Sequence, residues 1–344
     1  MPIMLRILLL IPLLTTLHLC AESDLDPEHE ARVVEAVEKG LGYLARTQSA
    51  DGSFTGGQYS HVQAALASMA FMASGHFAGR GKYGQNFERA VLWLVKRQDK
   101  RGYFGLDGGR MYGHGMCTLA LSEAYGMLRN RKDNQKVQKA LQKAINLICA
   151  SQAKGGRNNG GWRYEPRPND ADLSVTAWQV QALRGAQNCQ ITIPADTINR
   201  AIDYIRRCYH SGQKGYSYSP GGGPNMPMRC AGVVIMHTLK EGEQEQVKEA
   251  GQALLKQSFN RWGGSYFYYQ SYYAATAGLM VGDEGRKRIN EPLEKVLLPK
   301  QRQDGSWPPA PSMGGGQSAG PVYFTSFACL ILAARYEYLP IYQE

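Results

Sequence analysis

A short segment that runs from a glutamine to a glycine and then to an aromatic residue returns along this chain about every fifty residues, and no other feature restricts the fold as much. QSADGSF (48–54), QDKRGYF (98–104) and QRQDGSW (301–307) are copies of one motif. QAKGGRNNGGW (152–162) is a divergent copy, while GQKGYSY (212–218) and NRWGGSY (260–266) keep the glycine and aromatic but lose the glutamine. A unit of this length cannot bury its apolar face alone, so successive units must stack on one another. The copies define six repeats.

Ahead of each copy, apolar residues recur at steps of three and four: Val33, Val37, Leu41, Leu44; Phe87, Val91, Leu94; Val137, Leu141, Ile145, Ile148; Ile198, Ile202, Ile205; Val247, Ala250, Leu254; Ile289, Leu293, Val296. That spacing is one buried stripe on a helix whose other face is wet. Asp26-Pro27-Glu28 supplies a cap and a proline at the first helical position of the first one. Behind each copy the character changes. HVQAALASMAFMASG, HGMCTLALSEAYG, SVTAWQVQALRGA, CAGVVIMHTL, YYAATAGLMVG and VYFTSFACLILAA are small and apolar all round, which requires burial on every side. Alternating wet-faced and fully buried helices predict an all-α fold, an α6/α6 toroid of six helix pairs in two concentric rings around a central cavity. An open solenoid has shorter repeats and lacks glycine–aromatic loops inside the pair. The glycine permits a turn with positive φ and the aromatic can pack under the next repeat, so each loop is expected to staple neighbouring repeats.

Ile3 to Leu19 is the one long apolar stretch, led by Arg6 and followed by ESDLDPEHE, an order that reads as a signal peptide over 1–21 with a single toroid domain over 22–344. A retained anchor or lipidation at Cys20 are the alternatives. The expected location is secreted or periplasmic. The net charge of +10 is spread along the chain without a basic block, so nucleic acid is not implied, while an anionic membrane surface or an acidic substrate is compatible with it. Cys117, Cys149, Cys189, Cys208, Cys230 and Cys329 have no CxxC spacing, and they suit buried thiols as well as bridges.

The Gln-Asp-Gly-Ser-Trp loops after amphipathic helices resemble the QW motifs of the prenyltransferase and squalene oxidase repeat, and the likeness covers nearly all of 22–344. Families with that repeat include terpene cyclases, protein prenyltransferase β subunits and thioester proteins, all α/α toroids. The resemblance implies a cavity for an isoprenoid or other small apolar ligand. The cyclase signature DxDDTA aligns with NDADLSVTA (169–177), placing Asp172 on its first aspartate and Ser174 on its catalytic acid. A serine hydroxyl is far too weak to protonate an alkene, so standard cyclase chemistry is not expected. The zinc-binding Asp-x-Cys of the prenyltransferases is missing, since Met228 precedes Cys230, and no Gly-Cys-Gly-Glu-Gln segment occurs. Nothing calls for a cofactor or a metal.

The candidate site lies where inner-helix ends gather. Asp172, Asp170 and His114 are the weak catalytic candidates, Asp172 serving equally as a helix cap and His114 as a core residue. His114 and Cys117 share one helix face but lack a third ligand. Tyr112, His114, Trp162, Tyr164, Asp170, Asp172, Tyr272 and Tyr323 are the candidate ligand-binding residues, with Tyr268 and Tyr273 beside them. Tyrosines in such a place stack on sugars, line an apolar pocket or fill a ring interior. The alternatives are a secreted polysaccharide lyase or hydrolase on the same fold, suggested by NNGGWRYEP, and a non-catalytic interaction scaffold.

Overall fold

A computed structural model of the protein describes residues 26–313, 315–337, 339 and 341, so the segment 1–21, expected to be a signal peptide, lies outside the described residues. The first helix of each pair is α1 (Pro27–Thr47), α3 (Gly84–Arg97), α5 (Arg131–Ala150), α7 (Ala195–Arg207), α9 (Glu245–Leu254) or α11 (Glu291–Leu297). The second is α2 (Ser60–Ala73), α4 (Arg110–Ala124), α6 (Leu173–Asn188), α8 (Met226–Thr238), α10 (Phe267–Met280) or α12 (Gly320–Ala333). A π-helical turn, Arg286–Asn290, leads into α11. The strands described are one short antiparallel pair, Tyr209–His210 with Gly215–Tyr216.

The two helix types differ in burial as their sequences demand. In α1 the buried side chains are the stripe Val33, Val37, Leu41 and Leu44 with the small Ala36 and Gly40, whereas in α2 every residue from His61 to Ala73 is buried. The Asp26 side chain accepts the Glu28 N–H at 3.1 Å, Asn130 that of Asp133 at 2.9 Å, and Asn225 that of Met228 at 3.1 Å, so short polar residues start α1, α5 and α8. The fully buried helices touch in cyclic order: α2 on α4, α4 on α6, α6 on α8, α8 on α10, α10 on α12, and α12 back on α2. The fold is an α/α toroid.

Each glutamine of the repeated motif is a clamp. The Gln48 amide donates to Gly52 O in its own loop (3.2 Å) and to Asn86 O in α3 (2.9 Å). Gln98 does the same to Gly102 O and Ala140 O, and Gln152 to Gly160 O and Thr197 O. Gln301 donates to Gly305 O at 3.0 Å and to Ala36 O at 2.8 Å, fastening the last loop to the first helix. The glycine is required twice over. Gly160 has φ +95°, and a Cβ there would lie 1.9 Å from Arg200 O of α7; at Gly305, φ +89°, it would lie 2.3 Å from Lys39 O of α1. The stapling bonds therefore come from glutamine and a close glycine contact. The indole N–H groups of Trp162 and Trp307 instead return to Ile148 O and Leu297 O, within their own repeats.

The expected central cavity is largely occupied. Trp178 of α6 stacks on Tyr272 of α10 with centroids 5.3 Å apart, and Tyr272 meets Phe327 of α12 at 5.7 Å. The Tyr273 hydroxyl donates to Gln181 Oε1 at 3.2 Å, again joining α10 to α6. Helices α6 and α10 are not neighbours in the cycle, so these rings meet across its middle. The six cysteines from Cys117 to Cys329 are free thiols.

Candidate functional site

The buried helices start at one face of the ring, and the most densely bonded of these starts is that of α6. Asp172 precedes it in extended conformation (φ −136°, ψ 154°). Its Oδ1 accepts the Val175 N–H at 2.8 Å and the Ser174 hydroxyl at 3.0 Å, and its Oδ2 accepts Arg163 Nη1 at 2.5 Å. The carboxylate is wholly buried and neutralised where it stands, the arrangement that makes a buried charge tolerable. Arg163 spans outward from it: Nε pairs with Asp170 at 3.0 Å, Nη1 also donates to the Tyr218 hydroxyl at 2.5 Å, and the guanidinium lies over Tyr164, 4.3 Å from its centroid. Partial burial works against that cation, but the bond and charge of Asp172 outweigh it and raise its pKa further.

Around this anchor stand six tyrosines, one from each repeat: Tyr59, Tyr112, Tyr164, Tyr218, Tyr269 and Tyr323. Tyr112 donates to Ser174 Oγ, because the Ser174 proton is committed to Asp172. The Tyr112 and Tyr164 rings are 5.8 Å apart, the Tyr164 and Tyr218 hydroxyls 2.9 Å apart, and the Tyr269 hydroxyl reaches Ser174 O at 3.5 Å. Tyr269 also lies within electrostatic reach of Tyr112 and Tyr323, and Tyr59 within that of Tyr323. Burial pushes the phenols of Tyr112, Tyr269 and Tyr323 up, yet each side chain keeps accessible surface. These three rings are largely covered by the surrounding protein but stay in contact with solvent. Their hydroxyls are neutral at physiological pH.

Two residues on this rim hold strained backbone. Tyr59 (φ +65°) ahead of α2 and Arg110 (φ +51°) at the start of α4 are left-handed without being glycine. Such conformations cost of order 1 kcal/mol each and concentrate at ligand sites.

Of the residues singled out in the sequence, Tyr112, Tyr164, Asp170, Asp172 and Tyr323 belong to this mouth. Three do not. His114 faces the outer layer: its Nε2 meets Ala144 O of α5 at 3.2 Å, Tyr103 and Phe104 pack on its ring, and burial lowers its pKa to about 4. Trp162 is wholly buried beneath its loop, with its backbone N–H on Thr176 Oγ1 at 3.0 Å. Tyr272 is part of the central packing. Tyr59, Tyr218, Tyr269 and the bridging role of Arg163 were missed, although Trp162-x-Tyr164 and Tyr216-x-Tyr218 repeat one spacing after the motif glycine. Among the described residues no three His, Cys, Asp or Glu side chains gather as metal ligands. Asp172 has three donors on it and Asp170 pairs with Arg163, so these two carboxylates are engaged by partners within the chain.

The family model of the prenyltransferase alpha-alpha toroid domain matches residues 9–111 and 164–338. No curated protein matches the chain in sequence. Solved structures share the fold at low identity. An inactive variant of the α-1,6-mannanase GH76A of Salegentibacter sp. HEL1_6, in complex with α-1,6-mannotriose, aligns with TM-score 0.63 at 10% identity over 88% of this chain and 99% of that one. Cellobiose 2-epimerase from Bacillus thermoamylovorans B4167 aligns with TM-score 0.63 at 13% identity, also over 88% and 99%. A variant of the type II terpene cyclase MstE from Scytonema, in complex with geranylgeranyl dihydroxybenzoate, aligns with TM-score 0.58 at 14% identity over 90% and 99%.

Proposed function

The chain belongs to the prenyltransferase alpha-alpha toroid domain family, and from that premise we propose that it is a non-hydrolytic binding protein whose tyrosine-rimmed mouth takes a neutral oligosaccharide. The observation that carries this reading is the contribution of one mouth tyrosine by every repeat. Tyrosine offers a flat face on which a pyranose ring stacks and a hydroxyl that bonds to its oxygens. A neutral ligand is favoured because Arg163 is already compensated by Asp170 and Asp172, and Arg110 faces Glu165 at 3.6 Å. The same pairing engages Arg163 and Arg110, the two basic residues against these rings, which weighs against a lyase that needs a base beside a bound anion. Fold relatives act on or bind oligosaccharides, which agrees with the reading without carrying it.

The isoprenoid reading has the family and the MstE complex in its favour. The rings of Trp178, Tyr272 and Phe327 across the centre leave less depth for a long apolar tail. Calorimetric titration with α-1,6-mannotriose, cellobiose and geranylgeraniol separates the two. Saccharide binding that weakens at least tenfold in Tyr164→Ala is the expected result; binding of the isoprenoid alone would overturn the proposal. Export through the apolar segment Ile3–Leu19 accompanies this reading, and N-terminal sequencing of protein recovered outside the cytoplasm tests it.

A further inference from the structure

At the opposite end of the ring, where α4 and α6 finish side by side, lies a cavity of about 380 Å³ lined by Ser122, Glu123, Tyr125, Met127, Gly185 and Cys189, with Asn188 and Gln190 at its edge. Glu123 is only 2% exposed. Its Oε2 accepts the Ile341 N–H at 3.0 Å, while its Oε1 has no hydrogen-bond partner among the described residues. Gly185 makes the space: a Cβ there would stand 2.2 Å from Ser122 Oγ and 3.3 Å from Glu123 Oε1. Among the described residues no Lys, Arg or His lines the cavity. The titratable groups facing Glu123 are Cys189 at the end of α6 and Tyr125 beyond α4. Both helices also direct the negative ends of their dipoles here.

We propose that this cavity binds an organic ammonium ion, held by Glu123 and by carbonyls at the ends of α4 and α6, with Tyr125 and Met127 as the polarisable wall against its carbon chain. A carboxyl group with one free oxygen, two helix C-termini and no fixed cation create a negative hollow, and a primary ammonium brings the three donors that such a hollow lacks. Burial raises the empty-state pKa of Glu123 to about 8, so at pH 7 the group is mostly the neutral acid. Binding then exchanges one charge for another: the ammonium enters, the carboxyl proton leaves to solvent, and the carboxylate pairs with the ligand. This site is distinct from the tyrosine mouth and does not depend on the saccharide reading.

The test is calorimetric titration of the full chain with n-butylammonium chloride at pH 7 in phosphate and in MOPS, whose ionisation enthalpies differ and neither of which is a primary ammonium. The expected result is a buffer-dependent enthalpy corresponding to release of about one proton, with affinity rising about tenfold from pH 6 to pH 7. E123Q, which keeps an acceptor for Ile341, abolishes the proton release and weakens binding at least tenfold. Asn188→Trp, an exposed substitution that fills the cavity entrance, blocks binding in a protein with unchanged melting temperature. Absent binding, binding without proton release, or equal binding by E123Q overturns the proposal.

Discussion

Replacing Gln301 with alanine tests whether the repeats close into a ring. The Gln301 amide makes two bonds, to Gly305 O at 3.0 Å and to Ala36 O at 2.8 Å, and the second ties the last repeat to the first. Each such bond contributes about 1 kcal/mol net, so Gln301→Ala costs about 2 kcal/mol. Gln98 makes the equivalent pair between two consecutive repeats and carries the same expected cost. Gln152 is more deeply buried and also accepts Arg200 Nε at 3.0 Å, so Gln152→Ala costs about 3 kcal/mol. In a domain of this size those losses lower Tm by roughly 2 °C per kcal/mol. Urea unfolding followed by helical circular dichroism reads them as shifts in midpoint at constant m. If Gln301→Ala is silent while Gln98→Ala costs its full amount, the seam between α1 and α11 is not closed in solution and the reasoning fails.

Four further outcomes follow from the same geometry. Gly160→Ala loses about 3 kcal/mol or more because its Cβ meets Arg200 O, whereas Gly56→Ala, at φ +98° with nothing within 4 Å, loses only about 1 kcal/mol in the same unfolding assay. Arg163→Ala leaves Asp172 buried and unpaired and costs about 3 kcal/mol, much of it recovered when Asp172→Asn is added. Because Glu123 binds its proton more tightly folded (pKa about 8) than unfolded (4.5), stability falls as pH rises between those values, by about 1.4 kcal/mol per unit at most, and E123Q removes that slope. In the native protein a thiol reagent at pH 7.5 leaves Cys117, Cys208, Cys230 and Cys329 unmodified, since burial both covers and raises these thiols, and all four react after unfolding without reductant.

The helices were legible because burial period is written directly into residue type: Val33, Val37, Leu41 and Leu44 can face only one way, and the small all-apolar stretch after His61 has no wet face. The loops showed that repeats were joined but not how. A glutamine side chain reaching a carbonyl in the following helix is a contact across about forty residues, and local pattern carries no sign of it. The site was half visible for the same reason. Tyr112 and Tyr164 stood out beside charged neighbours, but Tyr218 reaches the mouth only through the packing of one repeat on the next, and Tyr59 only because the first repeat meets the last. His114 looked like chemistry because of its residue type, yet the turn of α4 on which it lies points it toward α5. Asp172 was ambiguous between acid and cap, and its bonds to Val175 and Ser174 show the capping geometry.

The most direct test is nuclear magnetic resonance with tyrosine rings carrying carbon-13, titrated with α-1,6-mannotriose. The account predicts that signals of Tyr59, Tyr112, Tyr164, Tyr218, Tyr269 and Tyr323 shift together with one saturating concentration, while those of the buried Tyr204 and Tyr273 stay in place. Unmoved mouth signals, or shifts at Tyr272 and Tyr273 on adding geranylgeraniol instead, would contradict it.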